Sequence, residues 1–299
     1  MPTFNCAKYI VSAIDSVLAQ SYRNYELIVV DDGSTDNTRL LLNSLITDRR
    51  IRYFYQDNKG LAVARNEAIL KARGKYIACL DADDLWTETK LEIQTAHIAR
   101  NPSIGMICTN AYKFIEDDLT TAVPILSDFP TPQSSSREML DVLLKKFNPI
   151  IVTTVLIARR VLDDIGLYDP YLTRLGCEDR DLHIRILARY DAAYIPECLA
   201  YYRMRSQSMS KNFDRMFEAR KYVLDKYLRS NIETSAILKR QAYSSVYLSH
   251  GASNYYASNY SKAIPSVLRA IAIYPFSADG IKMLIKCAMK WACGKVGLA

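Results

Sequence analysis

Leu80-Asp81-Ala82-Asp83-Asp84 sets three carboxylates within four residues, directly after an apolar run. Like charges packed so closely repel one another unless a cation joins them. Oxygen donors without His or Cys nearby select Mg²⁺ or Mn²⁺. Held by one or two carboxylates, such an ion completes its shell with substrate phosphates. The competing reading is that Asp83 or Asp84 caps a helix over residues 85–99. Val30-Asp31-Asp32-Gly33-Ser34 is a second acidic turn. A carboxylate there can accept from a nucleobase N–H or a ribose hydroxyl, or it can close an Asx turn. A third acidic group, Glu178-Asp179-Arg180-Asp181, either takes a proton from an acceptor hydroxyl or caps the helix that follows.

These turns need strands to hold them at one edge of a sheet. Residues 26–30 (ELIVV) form a compact β-branched run, and 51–55, 75–80 and 152–157 read as further strands. Helices are expected over 34–46, 61–72 and 179–190. The alternation predicts right-handed βαβ crossovers and an α/β fold with a mostly parallel sheet flanked by helices. Ligands bind at the carboxyl ends of such strands, where Asp31-Asp32 and the turn at 81–84 both fall. Residues 117–136, rich in Pro, Thr and Ser, read as a long loop over the cleft. From about residue 213 the pattern is helical throughout. A boundary near 210 therefore divides a catalytic domain, 1–210, from an all-helical C-terminal region, 211–299. Residues 247–274 resemble a helical hairpin of tetratricopeptide type.

Pro2-Thr3-Phe4-Asn5, Val30 through Asp36, Gly60 through Arg65-Asn66, Gly74, Leu80 through Asp84 and Glu178-Asp179 occur in one order. The series resembles the family 2 glycosyltransferases of the GT-A fold, in their non-processive bacterial type, over residues 1–205. The resemblance implies a Rossmann-like, nucleotide-sugar-binding fold. It also implies inverting transfer of a sugar from a UDP- or dTDP-sugar to an acceptor hydroxyl, in surface polysaccharide or glycolipid synthesis. By the same resemblance Thr3 and Phe4 belong to the nucleotide site, where the Phe4 ring replaces the family's Tyr on the base. Asp32 would accept from the base N3–H, Asp81 would contact the ribose, and Asp83 would coordinate Mn²⁺ or Mg²⁺. Arg65 would face the diphosphate, unless it is a structural helix arginine. Asp179 matches the family's base, with Glu178 beside it. The implied acceptor is a saccharide or a lipid-linked saccharide.

The sequence departs from that pattern twice. Family members open with an apolar strand ahead of the Pro-Thr-Tyr-Asn motif, and Met1 stands where that strand would end. The expectation is a missing first strand, two exposed inner strand edges, and a true start further upstream. No Gln-x-x-Arg-Trp follows the presumed base, since 181–187 read DLHIRIL. One sugar per encounter is therefore expected rather than processive synthesis.

Composition bounds the remaining choices. The 299 residues carry a net charge of +7, with 49% hydrophobic and 24% charged residues, the balance of a globular chain. Seven scattered cysteines without a CxxC pair read as reduced thiols of a cytoplasmic protein. No signal peptide or membrane-spanning run is visible. From Tyr201 onward sixteen basic residues face five acidic ones, whereas the first 200 residues carry 23 and 27. A basic rear without a nucleic-acid motif suggests an anionic membrane surface, visited peripherally from the inner face of the cell membrane, and no nucleic acid. Lys282, Lys286 and Lys290 recur at i, i+4, i+8 beside Ile281, Leu284, Ile285 and Trp291, a basic amphipathic helix or an ordinary packing helix with a solvated stripe. Two rivals share the front-half features. A nucleotidyltransferase would carry a Gly-rich basic phosphate loop that residues 2–8 lack, and a truncated, inactive domain would serve as a binding scaffold.

Overall fold

The computed structural model describes residues 1–126, 131–146, 148–205 and 212–296, the side chains of 291–296 excepted. The order of elements is β1 (Pro2–Thr3), α1 (Ile10–Leu18), β2 (Leu27–Asp32), α2 (Thr38–Leu45), β3 (Ile51–Gln56), α3 (Leu61–Lys71), β4 (Tyr76–Ala78), β5 (Leu85–Trp86) and α4 (Lys90–Arg100). There follow β6 (Met106–Ile115), β7 (Asp118–Pro124), α5 (Ser136–Lys145), β8 (Leu156–Ala158), α6 (Arg159–Ile165), α7 (Glu178–Leu187) and β9 (Ala192–Met204). Four helices close the chain: α8 (Phe213–Ser230), α9 (Ala236–Tyr256), α10 (Tyr260–Ile273) and α11 (Ala278–Val296).

One compact unit comprises 1–140, 148–174 and 178–208; the other comprises 209–299 with the short pieces 141–147 and 175–177. In the first, Ile10, Ala13, Ile14 and Val17 recur at helical spacing and bury the inner face of α1. Strand β2, buried along its whole length, pairs in parallel with β1 and β3. A second sheet runs β4-β8-β6-β9-β5, with β7 beside β6. In it β6 and β9 are parallel, and the other pairings are antiparallel.

Four expectations need correction. The strands form two sheets, because among the described residues no strand joins β2 to β4. A cavity of 390 Å³ lies there instead, lined by Met1, Leu27, Ile28, Tyr76, Ile77 and Ala78 among others. The α-amino group of Met1 is buried beside it and donates to the Ile28 carbonyl at 2.8 Å, and burial lowers its pKa to about 6. Residues 117–136 are not one loop, since Asp118–Pro124 pairs with β6; residues 127–130 lie outside the described ones. The helix expected over 85–99 begins only at Lys90, because Leu85 and Trp86 pair with Tyr201 and Ala200 of β9. The segment at 152–157 likewise starts as a 3-10 turn, Val152–Thr154, before its strand.

In the second unit, α9 and α10 form the expected hairpin. A Cβ on Gly251 would meet Val267 Cγ2 at 2.7 Å and the Ala263 carbonyl at 3.1 Å, so the two helices approach as closely as only glycine allows. Among the described residues no helix is long and apolar enough to cross a membrane.

Candidate functional site

Strand β2 delivers Asp31 and Asp32 to its carboxyl end, 0% and 3% exposed. Asp31 Oδ1 accepts from the Ser34 amide at 2.9 Å, and its Oδ2 accepts from the Tyr53 hydroxyl at 3.1 Å. Burial, then the Asp31 charge, pushes the Tyr53 pKa up to about 12. Asp32 Oδ1 accepts from Gln56 Nε2 at 2.6 Å and from the Lys59 amide at 2.8 Å, and its Oδ2 accepts from the Gly60 amide at 2.7 Å. Three of roughly four lone-pair positions are thus taken by the chain itself. Gly60 has φ +91°, and a Cβ there would meet Thr173 Oγ1 at 2.5 Å, so this loop depends on glycine. Beside this turn Thr3 is buried and Phe4 is 46% exposed, a free ring face at the end of β1. Asn5, at φ +50°, accepts the Thr35 amide at 2.8 Å and donates its own to Ser34 Oγ at 3.0 Å, latching the two turns together.

The second acidic turn is built differently. Asp84 is 1% exposed and accepts from the Arg203 amide at 2.9 Å, while its Oδ2 has no hydrogen-bond partner among the described residues. Burial, then repulsion from Asp83 and Asp81, holds its pKa well above the usual range. Asp83 is raised for the same reasons, burial first and Asp81 second. Its nearest cation is Arg205, whose Nε lies 2.7 Å from Oδ2. Arg203, buried in β9, donates from Nε to the Asp83 carbonyl at 2.6 Å and pairs with Asp117 at 2.6 Å. Its guanidinium lies over the rings of Tyr9 and Phe114.

Arg65 joins the turn at 81–84 to the start of α7. It is 3% exposed on α3, with NH2 2.6 Å from Asp81 Oδ1 and NH1 2.5 Å from Glu178 Oε1, and it lies over the Tyr168 ring. The Asn66 side chain fixes Tyr168 through both its backbone N–H and C=O, at 2.9 and 2.8 Å. Each of its terminal nitrogens thus holds a carboxylate, and its buried Nε has no hydrogen-bond partner among the described residues. Glu178 and Asp179 open α7, where the helix N-terminus favours negative charge. Asp179 accepts from Asn148 Nδ2 at 2.9 Å and from the Arg180 amide at 2.7 Å. Burial raises the pKa of both acids, opposed by the Arg65 charge.

Asp81, Asp83, Glu178 and Asp179 are thus brought together, while Thr3, Phe4 and Asp32 line the neighbouring strand ends. Sequence reasoning missed Asn148, Tyr202, Arg203 and Arg205. The Tyr202 pKa is pushed up to about 12, by burial and then by the charges of Asp84, Asp81, Asp83 and Asp179. Tyr202, Arg203 and Arg205 lie on and just after β9, which pairs with β5, and Asn148 lies between α5 and the 3-10 turn at 152–154; no local sequence signal marks them. Buried His183 fills α7 as a neutral packing residue, its pKa lowered to about 3 by burial.

No group of three His, Cys, Asp or Glu converges as a ready metal cage among the described residues. The donor set nonetheless fits a hard divalent cation. Asp81 and Asp83 are crowded carboxylates, and two carboxylates suffice when a ligand's phosphates complete the shell.

Residues 1–166 match the profile described as Glycosyl transferase family 2. An uncharacterized glycosyltransferase of Rickettsia felis is 46% identical over 101 residues, 34% of this chain, and the chain spans only 17% of that protein's length. The Escherichia coli UDP-Glc:alpha-D-GlcNAc-diphosphoundecaprenol beta-1,3-glucosyltransferase WfaP is 33% identical over 210 residues, covering 70% of this chain and 77% of its own. Among solved structures, the Pyrobaculum calidifontis mannosyltransferase PcManGT, in complex with GDP-Man and Mn²⁺, aligns with a TM-score of 0.62 at 19% identity. That alignment covers 96% of this chain and 78% of that one. Likeness of this order shows a shared fold, the GT-A-type arrangement expected from the motifs.

Proposed function

We propose, for a chain that belongs to glycosyl transferase family 2, that it transfers one sugar per encounter from a UDP- or dTDP-sugar to an acceptor hydroxyl, with inversion. The observation that carries this reading is the Arg65 bridge, which holds Asp81 of the donor side beside Glu178 and hence Asp179, nearly 100 positions away. Phe4 offers its ring to the base, with Thr3 buried behind it, and Asp32 keeps one lone pair for the base N3–H. Asp81 is left to meet the ribose. Asp83, with Asp81 near, would hold Mn²⁺ or Mg²⁺, and that ion neutralises charge on a departing diphosphate when bound. Asp179 takes the acceptor proton as the acceptor oxygen bonds the anomeric carbon and the carbon–phosphate oxygen bond breaks on the opposite face. Asn148 and the Arg180 amide aim the Asp179 carboxylate. The named relative's substrates support a saccharide acceptor carried on a lipid diphosphate, in cell-surface polysaccharide or glycolipid synthesis.

Thermal unfolding with Mn²⁺, with and without excess UDP, tests the donor half. Ligand at about 100 times its dissociation constant adds about 2.7 kcal/mol of stability. The expected result is a metal-dependent shift that Asp83→Ala abolishes and Asp179→Asn retains, while Asp179→Asn loses transfer. A cooperative transition that UDP and Mn²⁺ leave unmoved would overturn the reading.

A further inference from the structure

The last helix presents to solvent what a packing helix would hide. In α11, Gly280 and Cys287 are buried, and Met283 and Leu284 are half-buried, which defines the inward side. Ile281, Ile285 and Met289 are 47%, 54% and 64% exposed. Lys282, Lys286 and Lys290, one position on, are exposed as well. At about 100° per residue, the three apolar side chains fall within one arc of about 80° and the lysines fill the adjoining arc. Phe276, 85% exposed, stands just ahead of the helix. Asp279 is the one acid in the α11 sequence, against four lysines. Trp291, which the sequence placed on this helix, lies beyond the described side chains.

We propose that α11 is a lipid-docking helix, which lies on an anionic membrane surface with Ile281, Ile285 and Met289 in the interfacial layer and the lysine arc on the headgroups. A helix half apolar and half lysine, with both halves open to solvent, matches an interface where one side is hydrocarbon and the other is negative. Lysine stems reach along the apolar boundary while their ammonium groups stay hydrated. A second copy of the chain is a poor occupant, because a self-complementary contact through this face would set six lysines against one another. The lysine arc equally selects anionic lipid over neutral lipid. The proposal stands apart from the sugar-transfer reading, since none of these residues belongs to the acidic site.

Flotation with vesicles of phosphatidylcholine, with and without 25% phosphatidylglycerol, tests it at low and high salt. The full chain is expected to float with the anionic vesicles at low salt and to stay down with neutral ones. A Lys282→Gln, Lys286→Gln, Lys290→Gln variant should bind about a hundredfold more weakly, about fivefold per lysine, while arginine at the same positions restores binding. Ile285→Glu with Met289→Glu should also lose flotation. All these side chains are exposed, so the variants keep the parent thermal transition and its response to UDP with Mn²⁺. Three results would overturn the proposal: a parent chain that stays down with anionic vesicles, a triple glutamine variant that floats like the parent, or a dimer in sedimentation that Ile285→Glu dissolves.

Discussion

The two acidic turns look alike in the sequence and are used in opposite ways. At 31–34 each carboxylate oxygen has a donor from the chain within 3.1 Å. The charges are answered by amides, a hydroxyl and a side-chain amide, so the turn holds its shape by itself and leaves one Asp32 lone pair open. At 81–84 the carboxylates crowd one another, and the answering charges are arginines brought by α3 and β9 and by the residue just past β9. One turn is held by its own loop, and the other leans on arginines from distant elements.

Asp83→Asn is the widest lever on this contrast. Removing the metal-facing carboxylate should lower transfer by about a thousandfold, read as kcat/KM with Mn²⁺ saturating. Its effect on stability should run the other way. A carboxyl whose folded pKa is raised binds more protons folded than unfolded, so its cost appears as pH rises above about 4 and grows toward the folded pKa. Urea unfolding at pH 5 and pH 7 should therefore show the parent losing more stability on alkalisation than Asp83→Asn does. Equal losses in both would mean that the second turn is as well compensated as the first.

Arg65→Met attacks the bridge itself. It leaves Glu178 buried and Asp81 half-buried without their shared cation, at a cost of about 3 kcal/mol. The loss should shrink as pH falls, because burial already raises the Glu178 pKa and eases its protonation, and Arg65→Lys should recover only part because an ammonium lacks the fork that reaches both carboxylates. Asp32→Asn tests the first turn in the same assay. An amide in that place points N–H groups at the Lys59 and Gly60 amides or at Gln56, costing about 2–3 kcal/mol as buried donors lose their acceptor. Activity per folded molecule should fall far less than for Asp83→Asn. A thousandfold loss with unchanged unfolding would make Asp32 a ligand-binding group first.

Much of this was legible before any coordinates. The β-branched run of β2, the glycine-led start of α3 and the hairpin of α9 and α10 follow from periodicity and turn chemistry acting over a few residues. What failed was decided over longer reach. Leu85 and Trp86 carry a helical pattern, yet Trp86 Nε1 donates to the Thr153 carbonyl at 2.8 Å and the pair joins β9, so tertiary bonds overrode local preference. Thr120, Thr121 and Val123 are β-branched, and their strand was hidden by the flanking polar and proline residues. Arg203 reaches Asp83 and Asp84 across about 120 positions, a contact with no local sign. The acids of the site were visible because they cluster in sequence, and their cations were not because they arrive through the sheet.

Tyr53→Phe makes the smallest and sharpest cut. It deletes one hydroxyl donor to Asp31 Oδ2 and leaves the Ser34 amide on Oδ1, so Asp31, 0% exposed, loses one of its two bonds. The expected cost is about 1 kcal/mol, read as a fall of a few degrees in Tm with no change in the UDP-dependent shift. Absorbance titration supplies an independent check, because the step near pH 12, which Tyr53 shares with Tyr194, Tyr202 and Tyr243, should lose the amplitude of one tyrosine in the variant. If Tyr53→Phe instead weakened UDP binding as strongly as Asp83→Asn, the first turn would have to be read as a binding site held open by Tyr53. The distinction between a turn held by its own loop and one held by arginines would then rest on ligand contacts rather than on internal hydrogen bonds.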